Sequence, residues 1–275
     1  MKKIFLHLGH GKTGTTSIQT HLSRESSKHT CSVLYPNTCR IYTPPAHHEL
    51  FRAGLFPESR WANGEDAKMC DALYKEIEES HREIVILSSE AGLATLRGYS
   101  VLCKHQLLFF DRLRKNHELQ VVYYVRNQLE QIESSFYTFA RNNRIVPDEK
   151  NFDSYLMNQI EQFDYWKNIE SYWGDLVGVE NVLTKTYHKN NICNGDIVRD
   201  FLGLIGLFDE LWPNDLYSSP LENTSPEYRD PRQRGKLISK KRETLIRKRF
   251  LESNAKYASK YLDEKSERFL LEGFL

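Results

Sequence analysis

Short apolar runs alternate along the chain with stretches whose apolar residues recur at helical spacing. Four runs bounded by polar or glycine residues predict buried strands at residues 3–8, 83–88, 119–125 and 181–187. The helical spacing predicts helices at residues 16–23, 66–80, 107–115, 129–142, 152–173 and 196–207. Because strands that alternate with helices favour a parallel sheet covered on both faces, we predict a doubly wound α/β fold.

Two segments interrupt this alternation. Residues 35–62 are rich in proline, histidine and aromatic residues, and residues 212–235 are rich in proline, serine and arginine. Long irregular segments inside a compact domain are usually functional or disordered. A chain of 275 residues that is 40% hydrophobic can bury one large core, so we expect a single domain over residues 1–275.

The charge is nearly balanced overall but concentrated in one segment. The formal net charge is +1, whereas residues 229–249 carry ten Lys or Arg and two acidic residues. The second half of this basic segment predicts an amphipathic helix with Leu237, Ile238, Leu245 and Ile246 facing inward and its charges in solvent. The segment has no aromatic residue until Phe250, which argues against binding of nucleic acid.

Other features bound the cellular setting. No run is long and apolar enough for a transmembrane helix, and the first apolar run is cut short by a polar, glycine-rich stretch, unlike a signal peptide. The five cysteines are scattered without a CxxC motif, which argues against a disulfide framework and against a zinc site. We therefore expect a cytoplasmic protein, and a bacterial enzyme is the natural setting.

The stretch HLGHGKTGTTSIQ, residues 7–19, follows the first predicted strand and opens a helix. Its glycines allow close approach of an anion, the helix N-terminus offers N–H groups, and Lys12 adds positive charge. A Walker loop reads GxxxxGK[ST], but here Thr15 stands where that lysine belongs. The second strand ends in Ser-Ser-Glu without an aspartate to support magnesium, so hydrolysis of ATP or GTP is disfavoured.

Parallel strands bring their carboxyl ends to one edge of a sheet, where ligands bind. That edge is predicted to collect residues that follow four different strands: the loop at 9–17, then Ser88, Ser89, Glu90, Arg126, Asn127, Lys185 and Tyr187. The sequence thus predicts a single anion site built from scattered segments.

The stretch GKTGTTSIQ resembles the 5′-phosphosulfate loop of sulfotransferases, which generally reads Pro-Lys-(Ser/Thr)-Gly-Thr-(Thr/Ser), with Gly11 in place of the proline. The second signature of that family is an arginine that ends a central strand and a serine eight residues later. VVYYVRNQLEQIESSFY supplies Arg126 and Ser134 at this spacing, while Gln128 replaces the usual proline. The closing stretch LIRKRFLESNAKYASKYL is more loosely similar to the end of bacterial carbohydrate sulfotransferases.

The resemblance implies a P-loop-like sheet with a helical C-terminal extension, and a donor, 3′-phosphoadenosine 5′-phosphosulfate (PAPS), used without a metal. The product would be adenosine 3′,5′-bisphosphate, and the acceptor a glycan, a glycolipid or a related small molecule. It further implies that residues 229–236 close over the nucleotide or guide an anionic glycan. The implied donor-binding residues are Gly11, Lys12, Thr13, Gly14, Thr15, Thr16, Ser17, Arg126 and Ser134.

Three residues are candidates for catalysis. Lys12 would stabilise the charge that builds on the bridging oxygen as the sulfate leaves. Glu90 is the first candidate for the base that deprotonates the acceptor, and His48 is the second. A structural role remains open for each candidate base, since Glu90 could cap a helix or pair with a lysine, and His47 and His48 could be a surface pair.

Two other classes of protein also remain open at this stage. One is a P-loop kinase or NTPase with an aberrant phosphate loop, and the other is a nucleotide-binding module without catalysis. The sequence pattern assigns neither the acceptor nor the oligomeric state.

Overall fold

The computed structural model describes residues 1–28, 32–41, 43–51, 65–90, 104–211 and 237–274. Its described strands form one parallel sheet with the order β2-β3-β1-β4-β5. The strands are β1 Lys3–Leu8, β2 Val33–Leu34, β3 Ile84–Ser89, β4 Glu118–Val125 and β5 Val182–Thr186. Since β1 lies in the centre of the sheet, the loop that follows it opens between the carboxyl ends of β3 and β4.

Helices cover the sheet and extend beyond it at the C-terminus. They are α1 Thr15–Ser26, α2 Glu65–Glu79, α3 Lys104–Asn116, α4 Gln128–Asn143, α5 Glu149–Gln159, α6 Tyr165–Ile169, α7 Asp175–Val177, α8 Ile197–Leu204, α9 Phe208–Leu211, α10 Lys240–Tyr261 and α11 Glu264–Leu271. None of the described helices is both long and apolar enough to cross a membrane.

Alternation along the strands divides the core between two faces of the sheet. Ile4, Leu6 and Leu8 of β1 join a cluster that includes side chains from α2, α3 and α10. Phe5, one residue out of phase, packs in a second cluster that includes α1 and α8. A third cluster lies between α4, α5 and α10, where Phe136 is fully buried. The prediction of a parallel sheet with helices on both faces and a helical C-terminal extension is confirmed.

The four predicted strands are observed within one or two residues of their predicted ends. The fifth strand, β2, was not predicted, because two residues are too few to show a period. Its pairing with β3 places the beginning of the irregular segment 35–62 at the edge of the sheet.

The prediction of one continuous helix over residues 152–173 was wrong. The chain leaves α5 through a 3-10 turn at Ile160–Phe163 and starts again at α6, where Asp164 accepts a hydrogen bond from the backbone N–H of Lys167. An aspartate that caps a helix competes with continuation of the preceding one. The large aromatics were expected in the core, and Phe163, Tyr165 and Trp173 are buried there.

The basic segment is helical in its second half, with one error in the predicted inner face. Leu237, Ile238 and Ile246 are buried as predicted, but Leu245 is 53% exposed. The helix is rotated so that only every third or fourth position meets the core. Residues 212–236, which include the predicted lid at 229–236, lie outside the described residues.

The charges of α10 were expected to face solvent, but two arginines bind carboxylates of other elements. Arg242 donates to Asp153 of α5 at 2.7 Å, and Arg249 donates to Glu161 at 2.8 Å. These bidentate pairs fix α10 against the helices that follow the site. They therefore account for part of the positive charge without a ligand.

Candidate functional site

The phosphate loop, residues 9–17, is shaped by close packing and by positive φ angles. A Cβ atom at Gly9 would lie 2.4 Å from the side chain of Thr15, and Gly14 has a φ of 77°. Lys12 also has a positive φ, 72°, which turns the loop sharply before α1. At Gly11, a Cβ atom would meet no atom of the described residues within 4 Å beyond its chain neighbours, so the described part of the protein does not pack against this point of the loop.

The loop presents backbone N–H groups at the start of α1. The first bonds of this helix run from the N–H groups of Ser17 and Ile18 to the carbonyl of Gly14. Gly14 has no side chain to cap the N–H groups of the first turn, which point out of the helix end. Together with the helix dipole, these groups have the polarity that suits an anion.

The hydroxyl of Thr13 has a structural role within the loop. Its side chain is buried, and it donates to the carbonyl of His10 at 2.6 Å. The contribution of Thr13 to an anion would therefore come from its backbone, whereas the side chains of Thr16 and Lys12 are partly exposed. Sequence reasoning had assigned all of these hydroxyls to the ligand alike.

Arg126 follows β4 and lies against the phosphate loop. Its Nη1 donates to the carbonyl of Lys12 at 3.1 Å, and its Nε and Nη2 donate to Glu130 at 3.2 and 3.1 Å. The guanidinium also lies 5.6 Å from the ring of Tyr187, which follows β5. The predicted convergence of β1, β4 and β5 at one edge is therefore observed at the level of side chains.

Ser134 lies on α4, two turns from its start. It is partly exposed, and it shares a helix face with Glu130, four residues earlier. Since Glu130 binds Arg126, that face is turned toward the guanidinium. Asn127 caps α4 by accepting from the backbone N–H of Leu129 at 3.1 Å, which compensates for the absent proline at Gln128.

On the other side of the loop, β3 ends beside the irregular segment. The backbone N–H of His47 donates to the carbonyl of Ser88 at 2.8 Å, and the backbone N–H of Ser88 donates to Nδ1 of His47 at 3.1 Å. Nε2 of His47 donates to the carbonyl of Pro36 at 3.0 Å. The ring is fully buried, and burial lowers its pKa to about 4. His47 is therefore a neutral structural residue, and the interpretation as a surface histidine was wrong for it.

His48 and Glu90 meet the same end of β3. Nδ1 of His48 lies 2.9 Å from the hydroxyl of Ser89, and Glu90 follows directly in the chain. His48 is partly buried, and desolvation lowers its pKa. Desolvation raises the pKa of Glu90, while the hydroxyl of Thr15 and the charge of Lys12 act to lower it. Both candidate bases thus lie beside the phosphate loop, and their pKa values shift toward each other.

Lys185 was predicted at this edge of the sheet, but its charge is bound elsewhere. Its ammonium group donates to the buried carboxylate of Asp200 at 2.5 Å. The same carboxylate accepts from the hydroxyl of Tyr124 at 2.8 Å and from the backbone N–H of Cys193 at 2.7 Å. This ion pair with a buried carboxylate ties β5 to α8 and compensates the charge of Lys185.

The fold of this chain also occurs in a protein of known structure. The crystal structure of a sulfotransferase from Alicyclobacillus acidocaldarius superposes on this chain with a TM-score of 0.56. The match covers 98% of this chain and 99% of the other, at 15% sequence identity. The chain therefore shares the overall fold of that sulfotransferase. No protein-family model and no curated protein matches the sequence.

Sequence reasoning missed a hydrogen-bonded group beside the loop, formed by the partly buried His10 and the buried Gln131 and Tyr165. Gln131 donates to the carbonyl of Gly11 at 2.9 Å and to Nδ1 of His10, and its Oε1 is in hydrogen-bond contact with the hydroxyl of Tyr165. These residues are far apart in the chain and match no motif. The one available signal was a glutamine among the apolar positions of an otherwise amphipathic helix.

Proposed function

We propose that this protein is a sulfotransferase that moves a sulfuryl group from PAPS to a hydroxyl or amine of a glycan, glycolipid or related acceptor. The proposal rests chiefly on the position of the phosphate loop, which lies between Arg126 on one side and Glu90 on the other. The fold shared with a sulfotransferase supports the proposal at the level of architecture.

The donor would be bound at its two anionic ends. The backbone N–H groups at the start of α1 and the ammonium group of Lys12 suit the 5′-phosphosulfate. Arg126 precedes α4 and pairs with Glu130, and Ser134 lies on the same helix face as Glu130, so Arg126 and Ser134 together suit the 3′-phosphate. For Arg126 to bind a phosphate, its pair with the exposed carboxylate of Glu130 must yield, and such exposed pairs are weak.

In the transfer, the acceptor oxygen forms a bond to sulfur while the bond from sulfur to the bridging oxygen of the phosphate breaks. The electron pair goes to the phosphate, and adenosine 3′,5′-bisphosphate leaves. Lys12 would stabilise the charge that develops on the bridging oxygen. The acceptor proton goes to a base beside the loop, for which we propose Glu90 first and His48 second.

A neutral His48 at neutral pH suits a base, since an unprotonated ring nitrogen is needed to take a proton. The contact with Ser89 couples to its tautomer: the Nε2 acceptor that a base needs is present when Nδ1 donates to the Ser89 hydroxyl. The charge of Lys12 and the hydroxyl of Thr15 both act on the pKa of Glu90, whereas the pKa of His48 is shifted by desolvation. We therefore keep Glu90 as the first candidate.

The direct test is ligand-dependent thermal stability. Adenosine 3′,5′-bisphosphate without magnesium should raise the melting temperature, and ATP with magnesium should not. The opposite result would favour a P-loop kinase or NTPase and contradict the proposal. Stabilisation without any transfer of sulfate from PAPS to a panel of glycans and small alcohols would favour a non-catalytic nucleotide-binding module.

A further inference from the structure

Gln131 lies on α4 between Arg126 and Ser134, but it faces the opposite way, into the protein. Its side chain is 0% exposed. Its Nε2 carries two hydrogens, and two acceptors of the phosphate loop segment are in contact with it: the carbonyl of Gly11 at 2.9 Å and Nδ1 of His10. The helix that carries Ser134 and directly follows Arg126 is thereby bonded to the proposed 5′-phosphate loop.

Tyr165 of α6 completes this link. Its hydroxyl accepts from the backbone N–H of Arg126 at 3.2 Å and is in hydrogen-bond contact with the carbonyl of Arg126 and with Oε1 of Gln131. A tyrosine has one hydroxyl hydrogen, so it donates to one of these two acceptors at a time. The same buried hydroxyl therefore contacts both the backbone at the end of β4 and the side chain of Gln131.

The imidazole of His10 is held in one tautomer by its surroundings. Nδ1 accepts from Gln131, so Nε2 carries the hydrogen and donates to the carbonyl of Gln162 at 3.2 Å. The ring stacks on Phe163 with a centroid distance of 5.4 Å. Burial lowers the pKa of His10, which keeps the ring neutral. The loop is thus bonded at His10 and at Gly11 to the same glutamine.

We propose that Gln131 is a positioning residue that fixes the distance between the phosphate loop and the pair Arg126 and Ser134, so that both phosphates of one nucleotide bind cooperatively. The inference rests on the proposed function, because it concerns how that nucleotide is bound. Two sites held at a fixed separation bind a bisphosphate with less loss of freedom than two sites that move independently.

The chain offers a matched control on the same helix. Gln128 is also 0% exposed, and its amide exchanges hydrogen bonds of 2.6 and 2.9 Å with Asn254 of α10. None of its hydrogen bonds reaches the phosphate loop within the described part of the chain. Gln128→Met and Gln131→Met therefore each remove one equally buried side-chain amide with little change in side-chain shape. Only Gln131→Met removes hydrogen bonds to the phosphate loop.

The experiment measures binding of three nucleotides by calorimetry to the wild-type protein and to both variants. The nucleotides are adenosine 3′,5′-bisphosphate, adenosine 5′-monophosphate and adenosine 3′-monophosphate. We expect Gln131→Met to weaken binding of the bisphosphate about tenfold. The affinity for either monophosphate should fall less than about threefold, because each monophosphate uses only one of the two phosphate sites. Gln128→Met should leave the preference for the bisphosphate at its wild-type value.

Retention of the full preference in Gln131→Met would overturn the positioning role and leave the proposed donor intact. A wild-type protein that binds the bisphosphate no better than the monophosphates would overturn the proposed donor itself, and the positioning role with it. If Gln131→Met does not fold, Tyr165→Phe provides the second variant, since it removes the hydroxyl at Arg126 and keeps the ring. The same loss of preference is expected there, and its absence would contradict the proposal.

Discussion

The two sides of the phosphate loop differ in how their polar groups are bound. On the donor side, Arg126 and Gln131 both donate directly to carbonyls of the loop. On the base side, Glu90 and His48 lie at the end of β3 with pKa values displaced by desolvation. Side chains with satisfied hydrogen bonds are held rigidly, whereas titratable groups with shifted pKa values are typical of sites of proton transfer. This difference fits the proposal that the side with Arg126 binds the nucleotide and the side with Glu90 takes up the acceptor proton.

Removal of the base should have the largest effect on the rate. We expect Glu90→Gln to reduce kcat about 10²- to 10⁴-fold and to abolish the acidic limb of the pH–rate profile. The wild-type limb should lie above the ordinary pKa of a glutamate, because desolvation raises the pKa of Glu90. The pH profile of kcat for Glu90→Gln and for His48→Ala provides the measurement.

The position of the wild-type limb does not by itself distinguish the candidates, since the pKa of Glu90 is raised and that of His48 is lowered. Only the variants separate them. An acidic limb that persists in Glu90→Gln and disappears in His48→Ala would assign the base to His48.

Removal of the loop lysine should have the next largest effect. Lys12→Ala is expected to reduce kcat about 10²- to 10³-fold, because the charge on the bridging oxygen loses its stabilising partner. Binding of adenosine 3′,5′-bisphosphate should persist through the backbone N–H groups of α1 and through Arg126. Single-turnover kinetics and calorimetry on one preparation test both halves, and near-normal turnover would refute the catalytic role of Lys12.

A change at Arg126 should affect binding more than chemistry. Arg126→Gln is expected to weaken binding of adenosine 3′,5′-bisphosphate about 10- to 100-fold, which corresponds to the loss of a charged hydrogen bond. The affinity for adenosine 5′-monophosphate, which has no 3′-phosphate, should fall much less. Ser134→Ala should follow the same pattern with a smaller loss. Equal losses for both nucleotides would place Arg126 away from the 3′-phosphate.

The smallest expected effect is on stability, at His47. Its folded pKa of about 4 lies below the value of about 6.5 expected in the unfolded chain, so the unfolded state binds the extra proton. Stability is therefore full above pH 6.5 and is lost as the pH falls toward 4. Between pH 7 and pH 5.5 the loss from this residue should be about 1 kcal/mol.

Urea denaturation at these two pH values measures that loss. His47→Asn keeps an acceptor for the backbone N–H of Ser88 but does not titrate, so its stability should depend less on pH. The exposed residue His81 provides the control, and His81→Asn should keep the wild-type dependence. An unchanged dependence in His47→Asn would contradict the assignment of a buried neutral ring.

The sequence predicted most of the sheet, because strands buried on both faces leave apolar runs such as 119–125 that are visible without any partner. It also predicted the position of the glycine-rich loop between β1 and α1, since Gly9, Lys12 and Gly14 lie close together in the chain. It failed for the helix at 152–173, where a single cap at Asp164 outweighed the periodicity. It failed again at Leu245, where the rotation of α10 depends on the surfaces it packs against.

By itself, the sequence determined four of the five described strands and which residues follow them, because both depend on neighbours along the chain. Only the tertiary structure decided the contacts of individual side chains. Lys185 is bound by Asp200, His47 is buried and structural, and Gln131 bonds the loop to α4. These roles depend on which residues distant in sequence come within about 3 Å of each other. The pattern along the sequence does not contain the distances between such residues, because these distances depend on the order of the strands in the sheet.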